Sequence, residues 1–97
     1  MKLFWTRSAR RELRELMLYI AERDPLAAVR VVDRIEDSLG MLAEFPRAGR
    51  PGKVLGTREL VIDGTPFLIA YRIQDRHRRI EILAVKHGAQ RWPSEFD

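Results

Sequence analysis

The chain has 97 residues, a formal net charge of +4 and no cysteine. That length allows one compact core and a single domain spanning residues 1–97, and the missing cysteine excludes a disulfide scaffold and thiol chemistry and fits a reducing compartment. The basic residues are fifteen arginines and three lysines, a planar and always charged donor set that suits phosphate or carboxylate, so a nucleic acid or an acidic protein is the expected partner.

No apolar run approaches the roughly 20 residues of a membrane helix. The opening MKLFWTRSARRE lacks the long apolar centre of a secretory signal. The expectation is a cytoplasmic protein without membrane contact. In chain order, Lys2–Thr6 reads as a first strand, and Ser8 stands where it can cap the helix that follows. Ala9, Leu13, Leu16, Met17 and Ile20 then recur at helical spacing and predict an amphipathic helix ending near Glu22–Arg23.

Asp24-Pro25 restarts the chain. A proline fits the first helical position, and it pushes the residue before it into the extended geometry of an N-cap. The second helix is predicted to run to about Phe45, with Ala28, Val32, Ile35, Leu39 and Leu42 on its buried stripe, and Pro46 stops it. Two long helices joined so tightly form an antiparallel hairpin whose apolar stripes can cover a sheet. The next segment, Arg47–Thr57, reads as a loop. Its cations Arg47, Arg50 and Lys53 are phosphate-contact candidates, although Lys53 is followed by Val54 and no helix comes after it, unlike a P-loop.

Three apolar runs between Arg58 and His87, separated by Asp63–Pro66 and Gln74–Arg78, predict an antiparallel three-stranded meander. Alternation puts Phe67, Ile69, Tyr71 and Ile73 on one face with Leu60 and Ile62, and Leu68, Ala70 and Arg72 on the other with Glu59. In the last run it groups Ile80, Ile82 and Ala84 against Glu81, Leu83, Val85 and His87. One face calls for helices. The other, half apolar and charged, suits an open binding surface. The predicted class is α+β, of order β-α-α-β-β-β, with an antiparallel sheet packed on a helical hairpin.

The groups able to carry chemistry are Arg58, Tyr71, Arg72, His87 and Arg91. A histidine titrates near neutrality and suits general acid–base work, while an arginine can stabilise a charged phosphate transition state. Antiparallel order places His87 near Thr65–Phe67 and puts Arg72 and Arg58 towards the opposite end, which argues against one tight cluster. His77 and His87 are ten apart with no metal-binding spacing, the serines have no nucleophile context, and no cofactor motif is present, so neither metal nor cofactor is expected.

Taken together, Asp24-Pro25, Pro46-Arg-Ala-Gly-Arg50, Gly56-Thr-Arg-Glu-Leu60, Pro66-Phe-Leu-Ile-Ala-Tyr-Arg72 and Val85-Lys-His87-Gly-Ala-Gln-Arg91-Trp-Pro93 resemble the RelE/ParE superfamily over nearly the whole chain. These are the toxins of type II toxin–antitoxin systems. The resemblance implies a cytoplasmic toxin neutralised by a partly disordered, acidic antitoxin that wraps it. RelE-like members cleave mRNA on the ribosome, and ParE-like members poison DNA gyrase and are not nucleases. RelE-like nucleases typically carry an arginine three residues before the tyrosine of the middle strand. Here that residue is Leu68, which cannot bind phosphate. The GTREL segment and the His87–Pro93 ending look more ParE-like.

The resemblance therefore favours gyrase poisoning, with Arg58, Glu59, Leu68, Tyr71, Arg72 and Trp92 as residues contacting target or antitoxin. His87, Arg72 and Arg91 form the alternative nuclease set. Without the resemblance, the competing reading is a small basic nucleic-acid-binding module read through its helix pair, although the helices are long for a helix-turn-helix.

Overall fold

The computed structural model describes residues 1–89 together with Pro93 and Phe96. Its elements are β1 (Lys2–Trp5), α1 (Arg7–Arg23), α2 (Pro25–Glu44), β2 (Arg50–Pro51), β3 (Arg58–Val61), β4 (Phe67–Gln74) and β5 (Arg79–His87). They form a five-stranded sheet of order β1-β5-β4-β3-β2 with the helical hairpin on one face. The meander β3-β4-β5 is antiparallel as expected, whereas β1 joins β5 in parallel, so the whole sheet is mixed.

The caps follow from local chemistry. Thr6, not Ser8, caps α1: its backbone is extended and its hydroxyl accepts from the Ala9 amide at 3.1 Å. Ser8 already lies within the first turn. Asp24 serves both helices. Its own amide donates to Ile20 O at the end of α1, and its carboxylate accepts from the Ala27 amide at the start of α2, with Pro25 behind it. Phe45 closes α2 as anticipated.

The core is Ala9, Ile35 and Leu42 from the helices against Leu60, Ile62, Ile69, Tyr71, Ile80 and Ile82 from the sheet. Leu13 and Leu39 are partly buried against it. Leu16, Ile20 and Val32, expected to be largely buried, are mostly covered but, like Leu13 and Leu39, not fully enclosed. The reason is placement. α1 packs on β5 and on α2, and Leu16 borders an opening shared with Phe67 and His87.

Two further departures come from local irregularities. The loop Arg47–Thr57 contains β2, a two-residue strand on the sheet edge whose Arg50 pairs with Glu59. In β5 the ladder skips a residue: Tyr71 faces Ile82 while Ala70 faces Ala84, leaving Leu83 as a bulge. An extra residue reverses the facing of everything after it. Ala84 therefore joins Ala70 on the face away from the helices, and Val85 and His87 join Ile69 and Phe67 on the helix face, opposite to simple alternation. The face expected to be open is closed at its centre, where Leu68, Ala70, Leu83 and Ala84 are all buried.

Candidate functional site

The bulge decides where the titratable groups fall. His87 pairs with Phe67, and the two rings meet edge to face with centroids 5.9 Å apart. His87 Nδ1 accepts from the Ala89 amide at 3.1 Å, which assigns the neutral ring's proton to Nε2. The ring lines an opening with Glu12, Glu15 and Tyr19 of α1. Beside it β1 has ended, so α1 replaces the missing strand: the Glu12 carboxylate accepts from the Val85 amide and pairs with Lys86.

Arg72 lies on the other sheet face. Its Nε donates to Glu81 Oε1 at 2.8 Å, and the same carboxylate accepts from Gln74 and stands near Arg79. Arg72 is five residues along β4 from Phe67, the partner of His87, or about 17 Å at strand rise. The structure thus separates Arg72 from His87 by face and by length. Arg91 and Trp92 lie outside the described residues.

The remaining candidates brace the fold. Tyr71 is fully buried. Its hydroxyl accepts from the Gly49 amide at 2.9 Å and donates to Pro46 O at 2.7 Å. Burial raises its pKa, opposed by the Gly49 bond and by the charges of Arg58 and Arg47. Glu59 is only 2% exposed. It accepts from Arg50 at 3.2 Å and from the Lys53 amide at 2.8 Å, two charge-assisted bonds that offset its desolvation. Arg58 donates to Gly49 O at 2.7 Å, and Arg47 pairs with Asp75 at 3.4 Å. Leu68 is buried. Of the contact candidates, Glu59, Leu68 and Tyr71 therefore face inward. Among the described residues no group of three or more His, Asp or Glu side chains is arranged to hold a metal, and no helix is long and apolar enough to cross a membrane.

An apolar feature lies on the hairpin itself. Leu13, Met17 and Leu18 of α1 and Val29 and Val32 of α2 line an apolar groove of about 650 Å³. Ala21 and Ala28 line it towards the Asp24 turn, and Arg10 and Arg14 line it towards the start of α1. Leu18 and Val29 are each 57% exposed. The helical stripes expected from sequence did not include them. The available signal was apolar residues in surplus of one stripe, at Leu18 and Val29, on helices whose other faces are charged.

The comparisons with known proteins agree with this architecture. The family model described as "ParE toxin of type II toxin-antitoxin system, parDE" matches residues 3–92. The Sinorhizobium fredii protein "Putative toxin Y4kP" is 48% identical over 92 residues, covering 95% of this chain and 93% of that one. "Toxin RelE2" of Caulobacter vibrioides is 33% identical over 89 residues, covering 92% and 97%. Among solved structures, the chromosomal ParDE toxin–antitoxin system of P. aeruginosa superposes with a TM-score of 0.77 at 29% identity, covering 90% of this chain and 95% of that one. The fold and these likenesses agree: the chain belongs to the ParE toxin family of type II toxin–antitoxin systems.

Proposed function

We propose that this toxin arrests growth by poisoning DNA gyrase in the cytoplasm, through protein–protein contact and without nuclease chemistry. The observation that carries the reading is the separation of His87 from Arg72 on opposite faces and at opposite ends of the sheet. A nuclease needs its base and its phosphate-holding cations within reach of one scissile phosphate. Leu68, at the strand position where a RelE-like nuclease carries arginine, is buried and uncharged. The ParE family model and the likeness to a ParDE system support the same side.

The antitoxin is the second partner. The hairpin groove is the surface we assign to it. Its apolar walls fit the apolar face of an amphipathic segment, and Arg10 and Arg14 fit acidic residues flanking that segment. Such a segment folds on binding and supplies its own side chains to a preformed trough.

The likeness to a protein named Toxin RelE2 favours a second reading, ribosome-dependent mRNA cleavage. One experiment separates them. The gene is induced, and translation, mRNA integrity and DNA damage are followed in parallel. A DNA-damage response with intact mRNA is expected. Rapid translation arrest with cleaved mRNA overturns the gyrase reading.

A further inference from the structure

Between β2 and β3 the chain makes a turn whose construction exceeds what a connection requires. Gly52 N–H donates to Thr57 O at 2.8 Å, and both the amide and the hydroxyl of Thr57 donate to Val54 O, at 3.1 and 2.6 Å. The Lys53 amide is held at 2.8 Å by the buried Glu59 carboxylate. Val54 and Thr57 are buried. A Cβ on Gly52 would stand 2.3 Å from Thr57 Oγ1, and Gly56 has φ +82°, so both glycines are required by the geometry. At the apex Leu55 is 99% exposed.

A single exposed leucine is ordinary on a protein surface. A leucine lifted completely clear of the surface by a buried carboxylate, two hydrogen bonds to one carbonyl and two obligatory glycines is not. The side chain forgoes the burial that stabilises an apolar residue in water. A rigid support also removes the ordering cost of burying it later in a partner. The surrounding segment 47–58 carries Arg47, Arg50, Lys53 and Arg58 and no acidic residue, and Glu59 behind it is buried. Arg47 is paired with Asp75 and Arg50 with Glu59, so the four cations leave a positive excess in the segment that carries the apolar knob.

We propose that Leu55 is the anchor by which the toxin docks on its folded protein target, entering a leucine-sized apolar socket rimmed by carboxylates. This rests on the reading above that growth arrest proceeds through a protein target. The shape selects the occupant. A wrapping, partly disordered antitoxin brings projecting side chains and needs troughs such as the hairpin groove, whereas a knob needs a concavity that exists beforehand. The turn also follows the β2 edge of the sheet, while α1, one wall of the groove, packs on β5 at the other side. A nucleic acid fits the positive excess but not the tip, because an aliphatic side chain offers bases no stacking face.

The test compares Leu55→Ser and Leu55→Met in the full chain with the wild type. The readouts are thermal midpoint, affinity for the protein encoded by the adjacent antitoxin gene, and growth arrest on induction. Leu55→Ser is expected to keep its thermal midpoint and its antitoxin affinity, because the side chain touches nothing that holds the fold. It is expected to raise survival after induction about tenfold or more, as loss of an interface anchor does. Leu55→Met is expected to remain toxic. Full toxicity of Leu55→Ser overturns the proposal. So does an equal loss of antitoxin affinity, which would assign the knob to the antitoxin. Salt-dependent binding of bare nucleic acid that only Leu55→Ser loses would assign it to a nucleic acid and overturn it as well. The gyrase reading is judged on a different measurement, whether wild-type arrest comes with DNA damage or cleaved mRNA, so its failure and the failure of the Leu55 proposal are told apart.

Discussion

The hydroxyl of Tyr71, in the centre of the sheet, accepts from the Gly49 amide at 2.9 Å and ties the chain leaving α2 to β4. The contact is close enough that a Cβ on residue 49 would fall 2.6 Å from that oxygen. The same hydroxyl donates to Pro46 O, so one side chain clamps both ends of the segment 46–49, which carries Arg47 and leads into β2.

Tyr71→Phe should therefore destabilise the toxin by about 1–3 kcal/mol, since the Gly49 amide is left buried without an acceptor. The effect has a pH signature. Burial raises the folded pKa of Tyr71 above its ordinary value of 10.0. A raised pKa stabilises the fold fully below the unfolded value, and that contribution is lost as pH climbs above 10 towards the folded one. The stability gap between wild type and Tyr71→Phe should narrow above pH 10 in thermal melts. A gap that stays constant to pH 11 would show that the hydroxyl does not ionise at a cost to the fold.

Core truncations should sort by burial and not by helical periodicity. Ile69 and Ile82 are fully enclosed, and changing either to alanine should cost about 2–5 kcal/mol. Ile20→Ala and Leu16→Ala, on the incompletely enclosed part of α1, should each cost clearly less. Urea titration of the four variants reads the ranking, and equal losses at Ile20 and Ile69 would contradict the packing described.

Much of this was legible beforehand, for physical reasons. Asp24-Pro25 announces a break between helices because proline dictates the geometry on both sides of it. The polar breaks at Asp63–Pro66 and Gln74–Arg78 dictate antiparallel neighbours. What the residues did not announce was the bulge at Leu83. In Ile-Leu-Ala-Val every residue is apolar, so inserting one leaves no trace in the pattern, yet it moves His87 to the other face. β2 was equally silent, since two residues carry no periodicity. Glu59 read as a surface charge on a half-polar face. Its burial depends on Arg50 and the Lys53 amide, partners that only the folded loop delivers. Arg91 and Trp92 lie outside the described residues, so the part they were expected to play stays an expectation from sequence.

The hairpin groove predicts a separable antitoxin phenotype. Leu18 and Val29 are half exposed and outside the core, so Leu18→Ser and Val29→Ser should change stability little. Each should weaken antitoxin binding about tenfold or more if its side chain anchors the bound segment. Because a ligand that binds only the folded state raises the melting point, the antitoxin-induced rise should shrink in parallel. Unchanged affinity in both variants would move the antitoxin to another surface.

The last prediction concerns His87. In a nuclease a general base contributes about 10²-fold or more, so removing it silences the enzyme. Here the ring is exposed at the end of β5, its Nδ1 is engaged by the Ala89 amide, and Arg72 is on the far face, engaged by Glu81. No phosphate can touch both side chains across a packed sheet. His87→Ala should therefore leave growth arrest largely intact, and Arg72→Ala should act mainly through stability, by leaving the Glu81 carboxylate without its closest cation. Arg91→Ala and Trp92→Ala should reduce toxicity through lost contact with the target, since arginine and tryptophan are favoured interface anchors. Induction assays scored for survival, with RNA and DNA analysed from the same cultures, check all four. Purified toxin that cleaves mRNA on ribosomes and loses that activity in His87→Ala would show that the histidine reaches a phosphate after all, and the gyrase reading would fall with it.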